Sequence, residues 1–261
     1  MTAATLPAVR TRQMNLWRLE WLRLTRTPRA IALAAVFLFI GFVEPVVTRY
    51  EQDLIGHVSH GARISLPPPT PADGLNSYVT EITLIGLIVV VALTAAALSF
   101  DTRQGLSTFL RTRVTSMWQL VIPRFAASAA AAVAAYLLGT LAAWYETQVL
   151  IGSLPVGGML GGMLCGAVYL TFAVAVTALA ASLVRSVIGT VAVALAILVV
   201  LPIAGVFHLI ASWLPSALVN APVGLVSGTQ LLHFLPALGV SVAASAAALV
   251  ICMRRLSRRE M

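Results

Sequence analysis

Few side chains in this sequence are equipped for chemistry. Ser227, in "GLVSGTQ", is a possible nucleophile, with His208 or His233 as its base. A Ser–His pair of that kind would make an intramembrane hydrolase, because an adjacent imidazole is what turns a hydroxyl into a nucleophile. Against this, Ser227 falls in a loop between apolar runs and no oxyanion donors can be named. Both histidines read better as interfacial side chains. A second chemistry is ion-coupled transport, which uses carboxylates near the membrane midplane. Glu44 precedes Pro45 about one turn from the outer end of an apolar run, and Glu81 and Glu146 sit at run boundaries. No acidic relay emerges; Glu44 reads as an interfacial carboxylate beside a helix-bending proline. Cys165 and Cys252 both lie in apolar stretches, which implies no disulfide framework. No metal site and no cofactor within the chain are expected.

The elements that must position these residues belong in lipid. Of 261 residues, 59% are hydrophobic and 10% charged, with a mean hydropathy of +0.94; soluble domains carry roughly 25% charged residues. The formal charge of +8 comes from 17 arginines and no lysine. These arginines cluster beside apolar runs, so they are read as a topology signal and not as a nucleic-acid surface. A span needs about 20 apolar residues. Six stretches qualify, at about 30–48, 82–100, 125–145, 156–182, 187–209 and 232–252. The polar "MTAATLPAVRTRQ" does not resemble a cleavable signal, and the first span is expected to remain in the mature protein.

Arginine placement then assigns the sides. Arg10, Arg12, Arg18, Arg23, Arg26 and Arg29 precede the first span. Arg103, Arg111, Arg113 and Arg124 join the second to the third, Arg185 joins the fourth to the fifth, and Arg254, Arg255, Arg258 and Arg259 follow the sixth. Only Arg49 and Arg63 fall on the opposite face, with Glu51, Asp53, Asp73 and Glu146. The positive-inside rule therefore predicts cytoplasmic termini and an all-α polytopic inner-membrane protein. The outer connections are expected at 49–80 and 210–231. The first holds Pro67, Pro68, Pro69 and Pro71, which favour an extended piece. The second, Ser212–Gln230, carries no charge and either dips back into the bilayer or lies on its surface.

Two cytoplasmic segments have helical patterning. In Met14–Pro28, Met14, Trp17, Trp21 and Leu24 form one stripe, with Arg18, Arg23 and Arg26 elsewhere on the wheel. This predicts an interfacial elbow that leads into the first span. In Phe100–Phe125, Leu106, Phe109 and Leu110 share a side while Arg103, Arg111 and Arg113 stay available to a polar partner. A short helix with an apolar side and basic flanks suits a groove on another protein.

Asp101, Gly105, Leu110, Thr112, Val114, Trp118, Leu120 and Arg124 form an acidic–Gly–Leu–Thr–Val pattern after the second span. Together with the elbow and six spans, this resembles the membrane subunit of ABC-2 type ATP-binding cassette exporters. Arg113 stands where that family often has proline, and Asp101 where it often has glutamate. The resemblance implies that 103–118 is a coupling region entering a cleft of an ATPase subunit. Its contacts would be Asp101, Gly105, Leu106, Phe109, Leu110, Arg111, Thr112 and Arg113. It also implies a second permease subunit, identical or related, and substrate movement along the first, second and fifth spans.

The residues themselves agree on one point. A P-loop needs a lysine on the phosphates, and there is none here. ATP and Mg²⁺ would therefore bind a partner chain. Gly158, Gly162 and Gly166 repeat every four residues in the fourth span, a smooth face for packing within the subunit or across a dimer. Pro202 predicts a kink in the fifth. The expected function is that of an exporter permease. Its cargo would be an amphipathic drug-like molecule, lipid or peptide, powered by a separate ATPase.

Overall fold

The computed structural model describes residues 16–26, 28–58, 67–98, 118–205 and 211–258. Every regular element among them is helical, and six helical segments are long and apolar enough to cross a membrane. A short helix, α1 (Leu16–Arg26), leads to α2 (Pro28–Val58), whose first residue is proline. Proline at a helix's first position loses nothing, since that N–H has no intrahelical acceptor.

The second span differs from its expected bounds. Helix α3 (Pro71–Glu81) runs through five residues of π-helical geometry, Ile82–Gly86, into α4 (Leu87–Leu98). The interval 49–80 is thus not one outer loop: α2 continues to Val58 and the next helix begins at Pro71. The reason is local. Asp73 Oδ2 accepts from the Thr70 N–H at 2.8 Å and from Thr70 Oγ1 at 2.6 Å, and Pro71 occupies the first turn. The prolines stay extended only up to Thr70, because "TPAD" is a capped helix start.

Helix α5 (Trp118–Leu150) starts seven residues before the expected 125 and passes through Pro123. Its 33 residues extend about 50 Å at 1.5 Å each, well beyond a hydrocarbon core of about 30 Å. Then come α6 (Val156–Leu183) and α7 (Val187–Ala204). Ser186 caps α7, its Oγ accepting from Gly189 N–H at 3.1 Å. A 3₁₀ turn at Pro215–Leu218, the short α8 (Ala221–Val226) and a second 3₁₀ turn at Leu231–Phe234 lead to α9 (Leu235–Arg258).

Helix α6 is the hub, packed by α4, α5, α7, α8 and α9. Its Cys165, Phe172, Ala173, Val174 and Val176 lie in the main core. The tightest pair is α2 with α5, which cross where Gly41 faces Gly139. A Cβ on Gly41 would strike the Gly139 carbonyl oxygen, and one on Gly139 would come within 2.6 Å of Phe37 O. Lipid gives helices little hydrophobic reason to associate, so backbones that approach this closely are what hold such a pair together.

Candidate functional site

The arginine-rich end is organised around α1. Trp17 and Trp21 are 55% and 57% exposed on its outer side, where a headgroup layer would meet them. The neighbouring, more covered side carries Glu20, which accepts from Arg124 Nε at 3.0 Å, with side chains only 11% and 9% exposed. This pair fastens the N-terminal helix to the root of α5. Glu20 was not singled out in the sequence, although it is the one acid among six arginines before the first span. Asp101, Gly105, Leu106, Phe109, Leu110, Arg111, Thr112 and Arg113 lie outside the described residues, as does the Arg23 side chain.

Beside the ion pair is an open cleft between α1, α2, α4 and α5. Glu20, Arg29 and Arg124 border it at one end, and Leu33, Leu93 and Ala131 are among its apolar walls. Thr94 and Ser128 add hydroxyls.

The glycine face of α6 packs within the subunit. A Cβ on Gly158 would lie 2.8 Å from Leu225 O, and one on Gly162 would lie 2.6 Å from Pro222 Cα. Gly166 instead makes room for the Tyr136 hydroxyl. The first two glycines therefore seat α8. Leu218, Ala221 and Pro222 of the uncharged Ser212–Gln230 stretch are buried between helices, whereas Trp213 and Ser227–Gln230 are exposed, so the stretch is tucked in at its middle and open at its ends. At Gly228 φ is +96°, and this residue turns the chain out of α8 toward α9.

A buried polar chain crosses the same half of the bundle. Tyr78 Oη and Thr140 Oγ1 are 3.1 Å apart, Thr140 Oγ1 donates to Tyr136 O at 2.8 Å, and Tyr136 Oη donates to Gly162 O at 3.4 Å. Second, third and fourth spans are thereby joined by side chains whose partners no sequence motif marks.

The remaining candidates do not converge. Ser227 and His233 are exposed with no hydrogen bond between them among the described residues, His233 stacking edge-on against Phe234 at 5.4 Å. His208 is outside the described residues. Glu44 and Glu81 are half-buried on α2 and α3, and the Glu44 carbonyl accepts from Thr48 Oγ1 at 3.0 Å. Pro202 lies in the last turn of the described part of α7, where Gly205 N–H bonds back to Leu201 O and Pro202 O.

No family model matches the chain, and no solved structure matches it. Over 140 residues it is 19% identical to "Uncharacterized transmembrane protein YxlG" of Bacillus subtilis (strain 168), an alignment covering 52% of this chain and 54% of that protein. The chain thus spans about half the length of this curated relative. With six helices apolar enough to cross a bilayer, it is a multi-pass membrane protein.

Proposed function

We propose that this chain is the permease subunit of an ATP-driven exporter, paired with a second permease and resting on separate ATPase subunits. One observation carries the reading. The Glu20–Arg124 ion pair clamps the amphipathic N-terminal helix to α5, immediately after the segment that resembles a coupling helix. A push on residues 103–118 from below reaches the root of the third span, and through the pair it reaches α1 at the membrane surface. A buried pair of this kind is a better transmitter than an exposed one, because separating it strands charge in a poorly solvated place. The absence of lysine requires the nucleotide to bind elsewhere. The same reading takes the arginine-rich face as cytoplasmic and the cargo as an amphipathic drug-like molecule, lipid or peptide.

The decisive experiment is purification of the full chain from its native host, followed by assay for a bound P-loop ATPase and ATP-dependent dye export in vesicles. Arg111→Glu with Arg113→Glu is expected to lose the ATPase while the permease still inserts. Cargo movement by the purified chain alone, driven by an ion gradient, would replace this reading with a secondary transporter. Cysteine at Ser153 should label from outside the cell and cysteine at Ser186 should not; the reverse overturns the orientation.

A further inference from the structure

We infer that the cleft between α1, α2, α4 and α5 binds one anionic phospholipid, with its phosphate at Arg29 and an acyl chain running between Leu33, Leu93 and Ala131. The space exists because the facing positions are small: Ala30 on α2, Ala97 on α4, and Ala127, Ser128 and Ala131 on α5 all border it. Helix α4 touches α2 only lightly, whereas α2 and α5 are closely packed. The opening left beside α4 is thus a property of the helix arrangement and not of one missing side chain.

Its chemistry is graded. The apolar walls end at three charged groups, two arginines and one glutamate. Arg124 is already committed to Glu20, which leaves the pair close to neutral. Arg29 is exposed and has no ion pair among the described residues, so among them it is the charge left unbalanced at the mouth. A cation at the mouth of an apolar slot matches an amphipath with a negative head. The surrounding bilayer supplies such molecules, and basic residues at its surface attract them. A neutral lipid would satisfy the walls but not the guanidinium. Free phosphate would satisfy Arg29 but leave the walls uncovered. Lipid in this slot would also brace α1 against the first span, and the inference holds whether or not an ATPase is the partner.

The test is native mass spectrometry of the full chain taken from equal mixtures of phosphatidylglycerol and phosphatidylcholine. One phosphatidylglycerol should remain per chain, preferred by about fivefold, the worth of one arginine at an anionic surface. Arg29→Glu should abolish that preference. Ala131→Phe or Ser128→Leu should reduce retention of either lipid by filling the slot. Equal retention of the two lipids, unchanged retention in Arg29→Glu, or displacement of the lipid by inorganic phosphate would each overturn the assignment. Arg29 is exposed, so its reversal is decisive even if the slot-filling variants fail to fold.

Discussion

The fourth and fifth spans are both strongly apolar, yet they live in different surroundings. In the fourth, 72% of the most apolar stretch is buried within the subunit; in the fifth, 17%. The sixth resembles the fifth, at 22%. Hydropathy does not distinguish them, since the fifth is the more apolar of the two. Close crossings do. The buried positions of α6 include Gly162, Gly166, Ala173, Ala175, Thr177, Ala178 and Ser182 beside larger residues such as Tyr169, Phe172 and Val176, whereas Val199, Val200 and Ile203 line the open side of α7. In lipid, bulky aliphatic surface gains nothing by leaving the hydrocarbon, and small residues gain close backbone contact. The closest approaches in this molecule are at glycines, although Ala192 and Ala196 of α7 stay exposed.

The comparison breaks hardest at the glycine crossing. Gly139→Val places carbon against the Phe37 carbonyl and the Tyr78 hydroxyl, atoms that cannot be moved without shifting a helix. The loss should exceed the ~1–3 kcal/mol of ordinary overpacking, and the variant should fail to elute as a monodisperse species in detergent. Gly239→Ala in α9, where nothing lies within 4 Å of the added carbon, should elute like the parent. Equal behaviour of the two would refute the close crossing of α2 and α5 at Gly139.

Next in size is the clamp at the arginine-rich end. Glu20→Ala leaves the Arg124 guanidinium largely buried with its carboxylate gone, a change worth about 3–5 kcal/mol in comparable buried pairs. Thermal unfolding in detergent should drop accordingly. The exchanged pair Glu20→Arg with Arg124→Glu should recover part of the loss, since attraction is restored in altered geometry. A drop no larger than that of an exposed arginine such as Arg18 would place the pair outside the packed region.

How much of this was legible beforehand depends on which physical signal carried each part. Span number came from length and apolarity, which the bilayer imposes on any crossing helix; Val156–Leu183 begins where the run from 156 begins. The start of α3 was missed because four prolines were weighed for stiffness, while Thr70 and Asp73 around Pro71 were not read as a cap. The spacing of Gly158 and Gly162 showed a smooth face and could not name its occupant. Their partners, Leu225 and Pro222, are 67 and 60 positions along the chain in a stretch without periodicity. Glu20 was hidden for a related reason: its partner is 104 residues away, and only its sign, alone among arginines, marked it out. The coupling residues and the ATPase remain in the sequence argument, since Asp101–Arg113 lies outside the described structure.

A smaller effect sharpens the interior side of the comparison. Tyr78→Phe removes the hydroxyl that meets Thr140 and keeps the ring, so the packing of α3 against α5 should survive. Thr140 still donates to Tyr136 O, which limits the loss to about 1 kcal/mol. Thr140→Val is the harsher probe, because it strips both contacts from a fully buried position. The first variant should lower the unfolding temperature less than the second; no drop in either would mean that the chain of hydroxyls adds nothing beyond ring packing.

The smallest expected effect is the most informative about the open side. Ile188, 84% exposed, and Val199 belong to the lipid-facing surface of α7 if this subunit stands alone. Truncation to alanine there removes methyls that touch only acyl chains, which close over the change at little cost, so the stability of the isolated chain should move by no more than ~0.5 kcal/mol. A second permease packed on that face reverses the expectation, because the same methyls then meet fixed protein atoms. Their removal leaves a hole that lipid cannot fill, at about 0.5–1.5 kcal/mol for each small aliphatic truncation. Ile188→Ala and Val199→Ala should therefore be silent in dilute detergent. In membranes they should lower the yield of cross-linked pairs only if α7 meets a second copy. Silence in both settings assigns the face to lipid and moves any pairing surface to another helix, since α2, α5, α6 and α9 all leave bulky residues open as well.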